Sequence, residues 1–207
     1  MTALAAQGKD YVAIHPAPPG TATPLRRARS TFMCAGIASF RARALFDRYI
    51  EGLPESLRAV MSSLVPGLWL PAETVTAHFA SADTLGLTPE DAFAIGVESG
   101  ERTQNGLVQT LTRLAAGAGA TPWTALHQYG RIWDRSFDGG GVTVRRVGPK
   151  DALVTLSHLP FARFEYFRCA FAGSNHAGLG LFTRTMQIRE HVAHRTPTGF
   201  ALRVSWV

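Results

Sequence analysis

Three consecutive glycines, Gly139-Gly140-Gly141, divide the chain into two rhythms. Before them apolar residues recur every three or four positions, the repeat of one helix face. After them apolar and polar residues alternate, the repeat of a pleated strand. The helical stripes run from residue 39 to 137: Leu45, Phe46, Tyr49 and Ile50 within a helix over 41–52; Leu57, Val60, Met61 and Leu64; Val75, His78, Phe79, Ala82 and Leu85; Leu107, Val108, Leu111, Leu114 and Ala115; and Trp123, Leu126, Gly130, Trp133 and Phe137. Gly52-Leu53-Pro54, Pro66-Gly67 and Gly117-Ala118-Gly119 punctuate them. Pro71 suits a first helical position. Thr88-Pro89-Glu90-Asp91 is a start signal, because the threonine oxygen can accept a free backbone N–H while the acids meet the positive helix end.

Beyond the glycines, 142–147 and 152–159 alternate on either side of Gly148-Pro149-Lys150-Asp151, and 186–192 and 200–206 on either side of Thr196-Pro197-Thr198-Gly199. These are two hairpins. Between them 161–182 returns to helical spacing with Phe164, Phe167 and Phe171, and the glycine-rich Gly173 to Gly180 stretch is expected to break that helix. The expected fold is α+β: an N-terminal helical layer followed by a ββ-α-ββ module, with a small antiparallel sheet covered on one face by helix. The first thirty residues, with Pro16-Ala17-Pro18-Pro19-Gly20 and little periodicity, read as a flexible tail, which leaves 31–207 as a single domain.

At 207 residues the chain can bury a sizeable core without disulfides or a structural metal. Its two cysteines, Cys34 and Cys169, match no CxxC spacing, which points to a reducing compartment and a cytoplasmic protein. The apolar stretches 32–40 and 64–72 are too short to span a membrane, and Arg41 and Arg43 follow the first where an export signal needs a cleavage region. A net charge of +6 raises nucleic acid as a partner, yet the arginines are scattered apart from Arg26, Arg27 and Arg29. Nucleic-acid binding is therefore not expected.

Motifs for chemistry are sparse. Gly96-Val97-Glu98-Ser99-Gly100 displaces serine from the centre of a nucleophile elbow and sits in a helical context. Gly173 to Gly180 lacks the Lys-Ser/Thr pair of a phosphate loop. His191 and His194, three apart on an expected strand, would face opposite ways, so no metal site is assigned. His78 interrupts an apolar stripe; it reads as a boundary histidine hydrogen-bonded to a neighbour, with axial haem ligation as the alternative. Cys169, among phenylalanines, reads as an inert core thiol with a raised pKa. The candidate ligand-binding residues are His127, Tyr129, Arg131 and Trp133, large polar-tipped side chains on the helix that leads into the glycines. Ordinary helix–sheet packing with an exposed arginine is the competing reading.

Gly36 with Arg41 and Phe46, Leu53-Pro54, Trp69-Leu70-Pro71, Gly96, Ala120-Thr121-Pro122-Trp123, Arg131-Ile132-Trp133, Gly148-Pro149-Lys150 and Val204-Ser205-Trp206 carry a resemblance over about residues 36 to 207. The chain resembles the fold shared by haem NO/O2-binding (H-NOX) domains, 4-vinyl-reductase domains and TRAPP trafficking subunits. More closely, it resembles a myxobacterial paralogous family of unknown function. The Tyr-x-Ser-x-Arg pattern of H-NOX domains is missing, since Tyr129-Gly130-Arg131 has another spacing, and so are the clustered cysteines and histidines of 4-vinyl reductases. The resemblance implies a non-enzymatic sensor or interaction module that binds a small molecule or a protein partner, and it assigns no cofactor. The expected pocket lies between the helical layer and the C-terminal sheet. Two alternatives stay open: a structural or assembly protein that forms a homodimer, and an enzyme using His127, Tyr129 and Arg131.

Overall fold

The computed structural model describes residues 22–103 and 119–207 together with the backbone of 13–15. The stripe at Leu107 to Ala115 lies outside the described residues. Among those described, five helices precede the break: α1 (Thr31–Ala42), α2 (Phe46–Glu51), α3 (Glu55–Ser62), α4 (Ala72–Asp83) and α5 (Pro89–Thr103). After it come α6 (Pro122–His127) and α7 (Tyr129–Ser136). The single helix expected over 41–52 is two helices, because Ala44 takes a left-handed φ of 54° between them. Such a φ closes a turn that periodicity cannot register.

The rhythm change falls where the glycines are, and backbone geometry explains the first two of the three. Gly139 and Gly140 have φ values of 90° and 67°, and a Cβ on Gly139 would stand 2.4 Å from the Pro24 carbonyl oxygen. Only glycine satisfies both demands. The chain then forms β5 (Gly141–Gly148), β6 (Asp151–Ser157), α8 (Glu165–Gly180), β7 (Met186–Glu190) and β8 (Phe200–Trp206), all strand pairs antiparallel. The fold is α+β with the expected ββ-α-ββ order. Val142, Val144, Val154, Leu156, Phe200, Leu202 and Val204 are buried on the inner face of this sheet. α8 lies across that face, with Phe167 and Phe171 edge-on to Phe200.

Two segments within the first thirty residues also pair. β1 (Ala13–His15) adds to β5, making the strand order β1-β5-β6-β8-β7. β2 (Arg27–Arg29) sits between β3 (Trp69–Pro71) and β4 (Phe137–Asp138) in a second, three-stranded sheet. Strands this short hold too few residues to show alternation in sequence.

The glycine-rich stretch does not break α8. The helix runs unbroken through Gly173 and Gly178 to Gly180, because α5 crosses it there at close range. A Cβ on Gly173 would stand 2.0 Å from the Phe93 carbonyl oxygen, and one on Gly96 would stand 2.0 Å from that of Ala170. Gly100 faces Ser174 and Ala177 one turn further along. Small residues at these places let the two backbones approach more closely than side chains normally permit.

The start of α5 follows the expected design. Asp91 donates its N–H to Thr88 Oγ1 (3.1 Å), whose hydroxyl in turn donates to Asp91 Oδ2 (2.9 Å). Thr88→Ala is expected to lower stability by about 1 kcal/mol, read as a lower urea midpoint with unchanged slope.

His191 and His194 depart from expectation. β7 ends at Glu190, and a 3-10 turn at Val192–His194 brings the two imidazole centroids to 4.7 Å. The alternation argument fails once the strand has ended. No group of three metal-ligating side chains occurs among the described residues, and no described helix is long and apolar enough to cross a membrane.

Candidate functional site

The described residues bound a cavity of about 1180 Å³. Helices supply most of its wall: Phe32 and Gly36 from α1, His78 and Phe79 from α4, Gly96, Ser99 and Gly100 from α5, Tyr129, Ile132 and Trp133 from α7, and Tyr166, Phe167, Ala170, Phe171 and Asn175 from α8, with Arg29, Trp69 and Phe137 of the three-stranded sheet completing it. No described strand residue of β5 to β8 lines it. The pocket expected against the sheet is therefore displaced by one layer, because α8 fills the space between cavity and strands.

Aromatic rings dominate the walls. Phe79 packs on Phe161, Phe167 and Phe32, with centroids 5.0, 4.7 and 6.2 Å away, and Trp133 lies 4.3 Å from Phe137. A few polar groups interrupt them, the composition of a ligand site. Tyr129 is buried, donates its hydroxyl to Asn175 Oδ1, and has its pKa raised by burial. The Tyr166 hydroxyl stands 3.4 Å from where a Cβ of Gly36 would be, and Ser99 Oγ stands 4.0 Å from that point. Gly36 thus leaves a notch flanked by two hydroxyls. Burial raises the Tyr166 pKa as well, so both phenols stay neutral donors.

His78 is the wall's most buried ionisable side chain at 1 % exposure, and Tyr49 Oη lies 2.7 Å from its Nδ1. The rings of Phe40, Tyr49 and Phe79 surround it. Desolvation drops its pKa to about 3, which keeps the imidazole neutral. It is hydrogen-bonded to a neighbour as expected, but deep inside and not at a boundary.

The four residues singled out from sequence separate into two pairs. Tyr129 and Trp133 line the cavity. His127 and Arg131 lie on the exposed side of the same segment, where His127 Nδ1 donates to the Trp123 carbonyl (2.5 Å) and Arg131 donates to Gln128 Oε1 (3.2 Å). His127, Tyr129 and Arg131 do not converge, because positions two apart on a helix point in different directions. Cys169 is partly buried and its pKa is pushed up to about 11, chiefly by desolvation, the state of an unreactive thiol.

Sequence reasoning missed Gly36, Ser99, Tyr166 and Asn175 as wall residues. Asn175 follows Phe171 by one turn, so a helix carried through the glycines would have placed it on the Phe171 face, whereas no spacing marked Tyr166. Ser99 sits between Gly96 and Gly100, on the face that meets α8.

Outside the cavity wall, an ionic cluster fastens α1 to α5. Glu98 accepts from Arg43 and from Ser39 Oγ (2.8 Å), and Arg102 donates to the Ala35 carbonyl (3.0 Å). The Arg43 guanidinium, as the leading cause, holds the Glu98 carboxyl down at about 2.

No protein-family model and no curated protein matches the chain. Among solved structures, one concerned with haem redox potential and protein-induced porphyrin distortion superposes with a TM-score of 0.54 at 13% identity, covering 86% of this chain and 99% of its own. Another, an oxygen-binding H-NOX domain related to soluble guanylate cyclases in its oxygen complex, gives 0.53 at 14% identity, covering 86% and 94%. The chain has an H-NOX-like fold. At this identity the likeness concerns the fold alone, so the fit of this cavity to a haem rests on its own donors. Among the described residues, the groups on the wall able to ligate haem iron are His78, Tyr129 and Tyr166. Tyr129 is engaged by Asn175 and both tyrosines are held protonated, which leaves His78. Its imidazole is neutral, one nitrogen is anchored by Tyr49, and the other has no hydrogen-bond partner among the described residues. With Nδ1–H donating to Tyr49 Oη, Nε2 keeps the lone pair a metal needs, and in that tautomer the donor set fits.

Proposed function

We propose that the chain is a cytoplasmic, non-enzymatic sensor module that works by holding a small molecule in its interhelical cavity. The observation that carries the reading is the cavity itself: about 1180 Å³, walled mainly by aromatic rings, with a few neutral polar donors inside and Arg29, Asp134 and Arg135 among its charged lining residues. Such a lining binds through burial of apolar surface and selects through its hydrogen bonds. The described wall holds no converging acid, base and nucleophile, so nothing in it favours turnover. Where the ligand is a haem, His78 is the residue that would hold the iron, and the group would supply diatomic-gas binding and a redox-active centre. The H-NOX-like fold supports this broad reading, and the closer kinship with the myxobacterial paralogues belongs to it.

Native mass and ultraviolet–visible spectra of the purified protein, with and without added hemin, test the proposal. A retained small molecule, or a Soret band that His78→Ala shifts or removes, is the expected result. Trp69 and Trp133 lie on the wall, so uptake should also change the intrinsic fluorescence. A bare polypeptide mass with no fluorescence response to hemin or to apolar probes would sink the reading.

A second reading, a dimerising assembly protein, draws on Val60, Val65 and Leu68, three large apolar side chains about half exposed around the end of α3. Light scattering over a dilution series decides it, since a monomer at every concentration removes it.

A further inference from the structure

The sequence's cluster of cations, Arg26, Arg27 and Arg29, lies on β2 and the residue before it, and its members are not equivalent. Arg26 and Arg27 both bond Asp138, at 2.5 and 2.8 Å, across the β2–β4 pair. Arg29 has no carboxylate partner among the described residues. Its guanidinium lies over the Trp69 ring, 4.3 Å from the centroid, and donates to the Gly67 carbonyl oxygen. Arg29, Trp69 and Gly67 all line the cavity.

The strand register brings a second cation to the same side. Ala28 pairs with Phe137 in antiparallel sense, so Arg29 lies toward the Ser136 end of α7, and Arg135 there also lines the cavity. The carboxylate on the described wall is Asp134, which also borders a neighbouring cleft of about 410 Å³ with Arg26, Arg27 and Asp138. The described cavity wall therefore carries two arginines, Arg29 and Arg135, against one carboxylate.

A guanidinium has five N–H donors in a flat fork. Stacking on an indole fixes the plane of that fork, and one bond to Gly67 leaves most of its donors free. A fork so held matches the two oxygens of an oxyanion. Deeper on the described wall are rings, aliphatic side chains and neutral polar groups such as Tyr129, Asn175 and Ser99.

We infer that the cavity takes an amphiphile, with its apolar body among the rings and an oxyanion head on Arg29, and Arg135 as the second cation. This rests on the ligand-binding reading above and names the class of ligand. The head is a carboxylate or a phosphate, which share the chemistry the fork recognises.

The test measures binding of dansylaminoundecanoic acid and its methyl ester to the full chain by dansyl fluorescence. The acid is expected to bind about tenfold tighter or better, the size of one charge-assisted hydrogen-bonded contact. Arg29→Gln should bring the acid to the ester's affinity and leave the ester unchanged. Competition by dodecanoate against dodecyl phosphate, with dodecanol as the neutral control, tells which head is preferred. Equal binding of acid and ester to the unaltered protein overturns the head-group assignment and leaves the cavity reading standing. Equal weakening of both probes by Arg29→Gln overturns it too, as a merely structural effect. Binding of neither probe overturns the amphiphile inference and leaves the cavity reading to the native-mass and hemin measurements.

Discussion

Gly173→Val is expected to cost more than about 3 kcal/mol of folding stability, and Gly173→Ala roughly 1–3. The place a side chain would need lies 2.0 Å from the Phe93 carbonyl oxygen and 2.9 Å from Val97 N, and both neighbours are backbone atoms of α5. Backbone in a helix cannot step aside the way a side-chain tip can, so the two helices must separate. Gly96 makes the mirror-image contact with Ala170, so Gly96→Ala should behave alike. Gly180→Ala is the control. A Cβ there meets only Met186 Cε at 3.7 Å, an ordinary contact, and removing a helical glycine should leave stability unchanged or raise it slightly. Urea unfolding followed by circular dichroism reads all four. A Gly173→Val protein with wild-type midpoint would mean that the two helices do not cross as described.

The second large effect is with pH. His78 has its folded pKa lowered to about 3, against about 6.5 for an exposed histidine. Below pH 6.5 the unfolded chain takes up a proton there that the folded chain refuses, so stability is complete above that value and falls as the pH drops toward 3. Each unit of separation is worth about 1.4 kcal/mol, and the whole loss is on the order of 4 kcal/mol. His78→Gln keeps a polar partner for Tyr49 and cannot titrate, so its stability should change far less over that window. Glu98, with its carboxyl held at about 2, acts in a lower range: its contribution is present above pH 4.5 and is lost as the pH falls toward 2. The Glu98 side chain is one-third exposed, so solvent weakens that contribution. Parallel pH profiles for the wild type and His78→Gln between pH 6.5 and 4 would contradict the burial assigned to the imidazole.

Elements with a strong internal period were legible before any coordinates. The hairpins β5–β6 and β7–β8, the start of α5 at Thr88 and the change of rhythm at Gly139 all lie where their residues announce them. What periodicity could not show is what one helix asks of another. Gly173 looks like a breaker when read along the chain, and its meaning is clear only with Phe93 opposite. The same blindness moved the cavity by one layer, since a helix thought to end at Gly173 left a gap that α8 fills. Tyr129 and Trp133 were within reach because a helix start and a run of large side chains marked their segment. Their neighbours His127 and Arg131 shared that mark and not the direction. Arg29 was visible as charge, but its value comes from Trp69, forty residues away in sequence and adjacent only once β2 and β3 pair.

α8 is a party wall. Phe167 and Phe171 present one edge to the cavity and another to Phe200 of the sheet, so trimming either ring disturbs both tenants. Mutational phenotypes along this helix will be inherited as a package, uptake and cooperativity failing together. Selection or engineering that aims to reshape what the protein holds has freer ground at Ile132, which borders the same space with half its surface in solvent.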